Sequence, residues 1–243
     1  DEELQQGYRL ACQHFSDDIE QMTLMDVTEA KKHALVLSDS HFVSPYMKEL
    51  RFKVIGESSL SYKAGAFMRF FIPASKGVSV PLNLPDNLKP HWHHIEHLEY
   101  EHLACTRSYS LAESSMNTDE LVFTIKIQTA PDNKVLPGVG SSYLCNLAIG
   151  ATIEAIGPFE EFFATQNRSK TMVMLGAGSG MAPLKSLIEE QMAITKEQTN
   201  TVDTHARHIH FFYGARCESD LLYAEEFYQL SVKNEHFHYY PTL

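Results

Sequence analysis

The sequence predicts an antiparallel β-barrel followed by an α/β domain built on a doubly wound parallel sheet. Three observations predict it. Short runs of alternating or β-branched residues recur between Met22 and Ile156 with turn residues between them, the pattern of an antiparallel barrel. Past Gln166–Lys170 the period changes to strand, helix, strand. At that change the apolar run Thr171–Leu175 enters Gly176-Ala177-Gly178-Ser179-Gly180, as a parallel strand does when it turns into a helix.

Residues 1–20 are acidic and polar, and form a segment of their own. The barrel is expected over 21–165. Met22–Leu37 and Leu50–Ile55 read as strands joined through the turn-like stretch Ser38–Pro45, and Ala64–Ile72 as a strand opened by Gly65. Residues 73–102 break the pattern with Pro73, Pro81, Pro85 and Pro90 and then a run of His and Glu, and read as an insertion. Leu121–Ile127 is a strand followed by a loop from Thr129, and Thr152–Ile156 a strand turned by Gly157-Pro158.

Residues 166–243 form the second domain. Thr171–Leu175 is apolar throughout, as in parallel strands buried on both faces. A helix follows, with Pro183 in its first turn and Leu184, Leu187, Ile188 and Met192 at helical spacing. His208–Tyr213, Leu221–Leu230 and His236–Tyr240 continue as strand, helix and strand.

Composition narrows the function. Lys and Arg total 20 against 31 Asp and Glu, a formal charge of −11, which argues against a nucleic-acid or anionic-membrane surface. Apolar runs fall far short of the roughly 20 residues a membrane helix needs. The four cysteines, Cys12, Cys105, Cys145 and Cys217, form no C-x-x-C pair, which favours a reducing compartment. In His91–His102 the spacing of His93, His94 and His97 suits one helical face, but no apolar shell or Cys accompanies them, so the run reads as solvated and no metal is expected.

Two stretches carry chemistry. In Arg107-Ser108-Tyr109-Ser110, strand alternation sends Arg107 and Tyr109 to one side and the serines to the other. A guanidinium suits a pyrophosphate, a phenol lies against a conjugated ring, and a serine meets a ring nitrogen, the set a flat phosphorylated ligand such as a flavin needs. Gly138-Val139-Gly140-Ser141-Ser142 then opens a short helix through Tyr143 and Leu147, capped by Ser141 or Ser142 and stopped by Gly150, whose first N–H groups suit phosphate oxygens. The later glycine loop offers the same feature to a nucleotide pyrophosphate, although taken alone a tight strand-to-helix turn needing positive φ explains it equally, and Tyr213-Gly214-Ala215-Arg216 stands at the carboxyl end of the next strand, where such sheets bind ligands. Asp220, with Glu218 nearby, suits a ribose 2′-hydroxyl and repels a 2′-phosphate, which favours NADH over NADPH.

Taken together, the ordered motifs at Arg107–Ser110, Gly138–Ser142, Gly157-Pro158-Phe159, Gly176–Pro183 and Tyr213–Arg216 resemble the ferredoxin–NADP⁺ reductase superfamily. Gly157-Pro158-Phe159-Glu160-Glu161-Phe162-Phe163 and Gly180-Met181-Ala182-Pro183 are similar, more narrowly, to the F subunit of Na⁺-translocating NADH:quinone oxidoreductases. The resemblance implies an FAD-dependent NADH:quinone oxidoreductase module that moves hydride from NADH to FAD and passes single electrons to a [2Fe–2S] centre. It implies that Arg107 neutralises the FAD pyrophosphate, Tyr109 and Ser110 meet the isoalloxazine as the catalytic pair, and Gly138, Gly140, Ser141 and Ser142 hold nearby FAD atoms. NADH falls to Gly176, Gly178, Gly180, Met181, Tyr213, Gly214, Arg216 and Asp220.

By the same resemblance, Cys12 in Gly7-Tyr8-Arg9-Leu10-Ala11-Cys12-Gln13 corresponds to the last ligand of a preceding ferredoxin-like domain, and residues 1–20 to the remnant of that domain. A cluster needs four ligands, so none is expected in this chain. The NADH domain is expected to be incomplete, lacking the family's Cys-Gly-Pro-Pro segment, and turnover by this polypeptide to be poor. The implied partners are an iron–sulfur domain and the membrane subunits of a respiratory complex, at the cytoplasmic face of a bacterial inner membrane. Glu160 stands where the family has Gly, so strain is expected there if φ is positive. Two further readings are the reductase of a bacterial multicomponent monooxygenase and an FAD-binding electron-transfer protein without NADH turnover.

Overall fold

A computed structural model describes residues 30–116, 119–130, 135–165, 170–199 and 207–243. The readings placed on residues 1–20, Cys12 among them, and on the start of Met22–Leu37 lie outside the described residues.

Six strands form the first sheet: β1 Lys31–Ser44, β2 Met47–Val54, β3 Phe67–Ile72, β6 Cys105–Ser110, β7 Leu121–Lys126 and β8 Thr152–Phe159. Their order is β6-β3-β8-β1-β2-β7, antiparallel at each pairing. The two outer strands meet where Leu111 bridges Phe123 and the Ala112 N–H donates to the Val122 carbonyl at 2.7 Å, closing the sheet into the expected barrel. Alternation fills it with Leu35, Leu50, Phe52, Phe70 and Phe123, the three Phe rings meeting edge to face or tilted at 5.0–5.9 Å.

The structure corrects the turns. Ser38–Ser44 is strand, because irregularities after Leu37 and Phe42 let β1 continue past its polar stretch, and the chain reverses only at Pro45-Tyr46. Gly157-Pro158 does not end its strand either, since β8 runs to Phe159, whose ring stacks on Phe67 at 5.0 Å. Glu160 is not at positive φ, and its carboxylate accepts the Lys63 N–H and pairs with the Lys63 ammonium at 3.1 Å, so the anticipated strain is absent. The insertion contains β4 Ser75–Val78, α1 Lys89–Trp92 and β5 Glu99–His102, with β4 and β5 paired antiparallel.

The second sheet is parallel, in the order β11-β10-β9, from β9 Met172–Ala177, β10 Ile209–Gly214 and β11 Phe237–Thr242. Helices α3 Met181–Thr199 and α4 Ala224–Lys233 form the crossovers. Leu184, Leu187, Ile188 and Phe227 from these helices pack on Met174, Phe211, Tyr213 and Phe237. Burial on both faces of β9 is overturned: Val173 and Leu175 are 62% and 74% exposed. Successive crossovers of one hand, with each strand laid beside the last, put both helices on one face.

Candidate functional site

Strand β6 pairs with β3 so that Tyr109 lies opposite Met68 and Ser110 opposite Phe67. Alternation turns Tyr109 inward, where its ring meets Phe70 edge to face at 5.9 Å, while Arg107 beside it is exposed. The helix α2, Val139–Cys145, packs across this pair. A Cβ on Gly140 would stand 2.8 Å from the Tyr109 hydroxyl and 2.6 Å from Arg107 Cγ, closer than real Cβ contacts come. Only glycine lets the helix backbone settle on that pair. Burial, assisted by Cys145, raises the Tyr109 phenol although Arg107 opposes it, so the hydroxyl keeps its proton.

The cap assigned to Ser141 or Ser142 is corrected. Gly138 occupies that position, and both serines lie inside the helix. Ser141 Oγ donates to the Gly138 carbonyl at 3.0 Å and accepts the Gln128 N–H at 3.1 Å, while Ser142 Oγ donates to the Val78 carbonyl at 2.6 Å. The helix ends at Cys145, well before Gly150. Its first intrahelical bond runs from the Ser142 N–H to the Gly138 carbonyl at 2.9 Å. The N–H groups of Val139, Gly140 and Ser141 therefore lie ahead of the helical ladder, with Gly140 itself against Arg107. A guanidinium, three leading N–H groups, a protonated phenol and a glycine approach make a cradle of the right chemistry for a flat, phosphorylated cofactor.

The second candidate site is a cleft of about 510 Å³ at the carboxyl edge of the parallel sheet. Gly178, Gly214, Arg216 and Asp220 line it, together with Ala177, Ser179, Ala215 and Thr242. The Arg216 guanidinium donates to Asp220 at 3.3 Å. Gly176, Met181 and Tyr213, also assigned here, support the cleft from behind. Met181 opens α3 and is fully buried, and a Cβ on Gly176 would meet Leu184 at 2.6 Å, so this glycine lets helix pack on strand. Tyr213 is also buried, its hydroxyl donates to the Gly178 carbonyl at 3.1 Å, and burial pushes its pKa up to about 12. Gly180 has open space around it.

The barrel supplies the opposite wall of this cleft through Ser44, Tyr46, Met47 and Lys126. Sequence reasoning missed these four. Lys126 carried one signal, a cation closing an otherwise apolar strand; Ser44, Tyr46 and Met47 carried none, because they reach the cleft only through the β1–β2 turn.

Charged groups join the two domains. Lys185 on α3 is 3% exposed and pairs with Glu189, with Glu113 of the barrel at 3.6 Å and with Glu226 at 3.8 Å. Burial works against its charge, but Glu189 and Glu226 outweigh it and hold the ammonium charged. Arg51 binds Glu113 and Glu49, each at 2.7 Å. The Tyr223 hydroxyl donates to Glu49 at 2.7 Å and meets the Thr124 hydroxyl at 2.7 Å. Glu189 and Glu190 accept the Ser114 and Ala64 N–H groups at 2.9 and 3.0 Å. These bonds fix α3 and the start of α4 against the barrel.

The His-rich run divides between α1, the segment after it and β5. Among the described residues no group of three or more His, Cys, Asp or Glu is placed to hold a metal.

Comparison with known proteins agrees with the resemblance read from the motifs. Residues 174–243 match the model of the oxidoreductase NAD-binding domain. The F subunit of the Na⁺-translocating NADH-quinone reductase of Serratia proteamaculans is 29% identical over 99% of this chain, and the chain spans 58% of that relative. The same-named protein of Pseudoalteromonas haloplanktis is also 29% identical over 99% of the chain, which spans 78% of it. The fold is that of the flavohem-like FAD/NAD-binding domain of Vibrio cholerae nitric oxide dioxygenase, with TM-score 0.61 and 18% identity over 86% of this chain and 73% of that one. Ferredoxin–NADP⁺ reductase of Plasmodium falciparum gives TM-score 0.59 and 19% identity over 86% and 72%. Among the described residues no helix is long and apolar enough to cross a membrane.

Proposed function

We propose that this chain is an FAD-dependent oxidoreductase module that accepts hydride from NADH and, within a longer polypeptide like its relatives, delivers single electrons to a [2Fe–2S] centre and on to membrane subunits of a quinone-reducing, sodium-translocating complex. One observation carries the reading. Gly140 lets the start of α2 settle on Arg107 and Tyr109, a contact of helix start, cation and phenol that supports a flavin cradle there.

Bound FAD supplies the chemistry of accepting a hydride and giving up electrons singly. The protein's share is position and charge. Arg107 and the N–H groups of Val139, Gly140 and Ser141 neutralise the pyrophosphate. Tyr109 offers a neutral ring, because burial keeps its proton in place. Ser110 is assigned to the flavin ring by the resemblance alone, since alternation turns its side chain to the other face of β6 from Tyr109, and Gly138 shapes the helix start. Across the interface, Gly178, Gly214, Arg216 and Asp220 receive NADH, with Gly176, Gly180, Met181 and Tyr213 shaping the loop that holds it. The ion network through Lys185 and Glu113 holds the two cofactor sites at a fixed separation.

The purified protein is expected to be yellow, with flavin absorption bands that bleach when NADH is added without oxygen. A colourless protein that takes up no added FAD refutes the reading. A yellow one that NADH leaves unbleached reduces it to flavin binding alone.

A further inference from the structure

The turn Pro45-Tyr46 has no role in the motifs, yet it forms part of the barrel wall of the cleft, facing Gly178, Gly214, Arg216 and Asp220. The insertion holds it from behind. Trp92, 3% exposed, donates its Nε1–H to the Pro45 carbonyl at 2.8 Å, and its ring stands 5.2 Å from the Tyr46 ring. The Tyr46 hydroxyl donates to the His91 carbonyl at 2.5 Å, and the His91 ring meets Tyr46 edge to face at 6.5 Å. Tyr46 is thus pinned by one short helix, α1, through the carbonyl of the preceding Pro45 and through its own hydroxyl. With that hydroxyl engaged, what remains for the cleft is a flat apolar ring, half-buried, opposite a guanidinium and a carboxylate. Burial raises the Tyr46 phenol, and Arg216 and Asp220 across the cleft, with Cys217, also bear on it electrostatically.

A flat ring sharing a cleft with a charged pair is the arrangement that receives an aromatic base joined to phosphates and a ribose. We propose that Tyr46 is a dinucleotide-binding residue contributed by the barrel, packing against an aromatic ring of NADH, and that residues 73–102 position it through His91 and Trp92. This rests on the reading of the cleft as the NADH site. It gives the His-rich insertion a task that needs no metal: its backbone carbonyl and its buried indole set one wall of the nucleotide site.

The test uses a reporter already in place, since Trp92 is the chain's single tryptophan. NADH bound beside Tyr46 quenches Trp92 emission by energy transfer. Titrations are run after the flavin has been reduced with dithionite, so that no hydride moves. Tyr46→Leu is expected to weaken NADH binding about tenfold, the size of one lost aromatic contact, with FAD content unchanged. Tyr46→Phe keeps the ring, loses the bond to His91, and is expected to stay within about threefold of the parent. A folded Tyr46→Leu protein that binds NADH as tightly as the parent overturns the inference. Should Tyr46→Leu not fold, tyrosine ring resonances of the unaltered protein decide: a Tyr46 signal that shifts with NADH supports the contact, and one that stays still overturns it. If the unaltered protein shows no saturable quenching, the reading of the cleft itself fails, a different result from an unaffected variant.

Discussion

The Cβ that Gly140 lacks would stand 2.8 Å from the Tyr109 hydroxyl, so a helix start and a strand residue meet at a distance only glycine permits. Arg107 Cγ is nearer still, at 2.6 Å. An added methyl must therefore displace the backbone of α2, since the Tyr109 ring is backed by Phe70. Gly140→Ala is expected to cost about 1–3 kcal/mol through overpacking and to move the leading N–H groups off the phosphate position. Flavin content after purification and FAD affinity by fluorescence should both fall, by about tenfold in affinity, while circular dichroism stays that of the parent.

A second prediction concerns the interface. Lys185→Met leaves Glu189 without its cation, whereas Glu113 keeps Arg51 at 2.7 Å, and a buried charge without a partner costs about 3–5 kcal/mol. Urea unfolding is expected to shift by that order. Glu189→Gln together with Lys185→Met removes the stranded charge and should recover part of the loss. A double variant no better than Lys185→Met alone would show that the pair is not coupled.

Tyr223 is, among the described residues, the one non-glycine at positive φ, 54°, where it precedes α4. Its hydroxyl bonds to Glu49 and Thr124 hold that conformation across the domain boundary. Tyr223→Phe leaves Glu49, which is 4% exposed, short of a donor. The expected loss is about 1–3 kcal/mol. Proteolysis should then cut between the domains sooner than in the parent, and equal cutting rates would refute the claim.

How much of this was legible in the sequence depends on distance along the chain. The barrel strands were readable because alternation is local, and the glycine loop because strand and helix flank it directly. Ser38–Ser44 misled, since Ser, Asp and His have turn composition while the irregularities that prolong β1 arise from its pairing with β2. Val173 and Leu175 misled as well: apolarity says a face can be buried, but crossover handedness decides which face receives the helices. Ser141 was placed at the right helix with the wrong task, because the residue that starts a helix shows in φ and ψ rather than in composition. Lys185 with Glu113, and Tyr46 with Arg216, are pairs made only by docking two domains, and no window along the chain contains them.

Asp220 lines the cleft and its carboxylate accepts from Arg216, and under the proposed function it sets the preference for NADH. Asp220→Ser removes the charge that repels a 2′-phosphate and frees the Arg216 guanidinium to receive one. The ratio of NADH to NADPH efficiency in anaerobic flavin bleaching is expected to fall about tenfold or more, a difference of roughly 1.4 kcal/mol. An unchanged ratio would place the 2′-position elsewhere.

The last prediction concerns alkaline stability. Cys145 ends α2 and is fully buried, and burial pushes its thiol up to about 12 from an ordinary 9.0, although the Lys48 ammonium bonded to its carbonyl pulls the other way. The folded protein thus keeps this proton where the unfolded chain has lost it. A raised acid favours the folded state fully below pH 9.0, and that advantage drains away as pH climbs from 9.0 toward about 12. The slope contributed is about −1.4 kcal/mol per pH unit in that window. Cys145→Ala removes the titrating group, so its stability should fall less steeply than the parent's between pH 9 and 10, before the buried tyrosines begin to titrate in the unfolded chain. Urea midpoints taken at half-unit steps of pH read the difference directly. Parallel curves for the two proteins would mean that the thiol, despite its burial, titrates alike in both states.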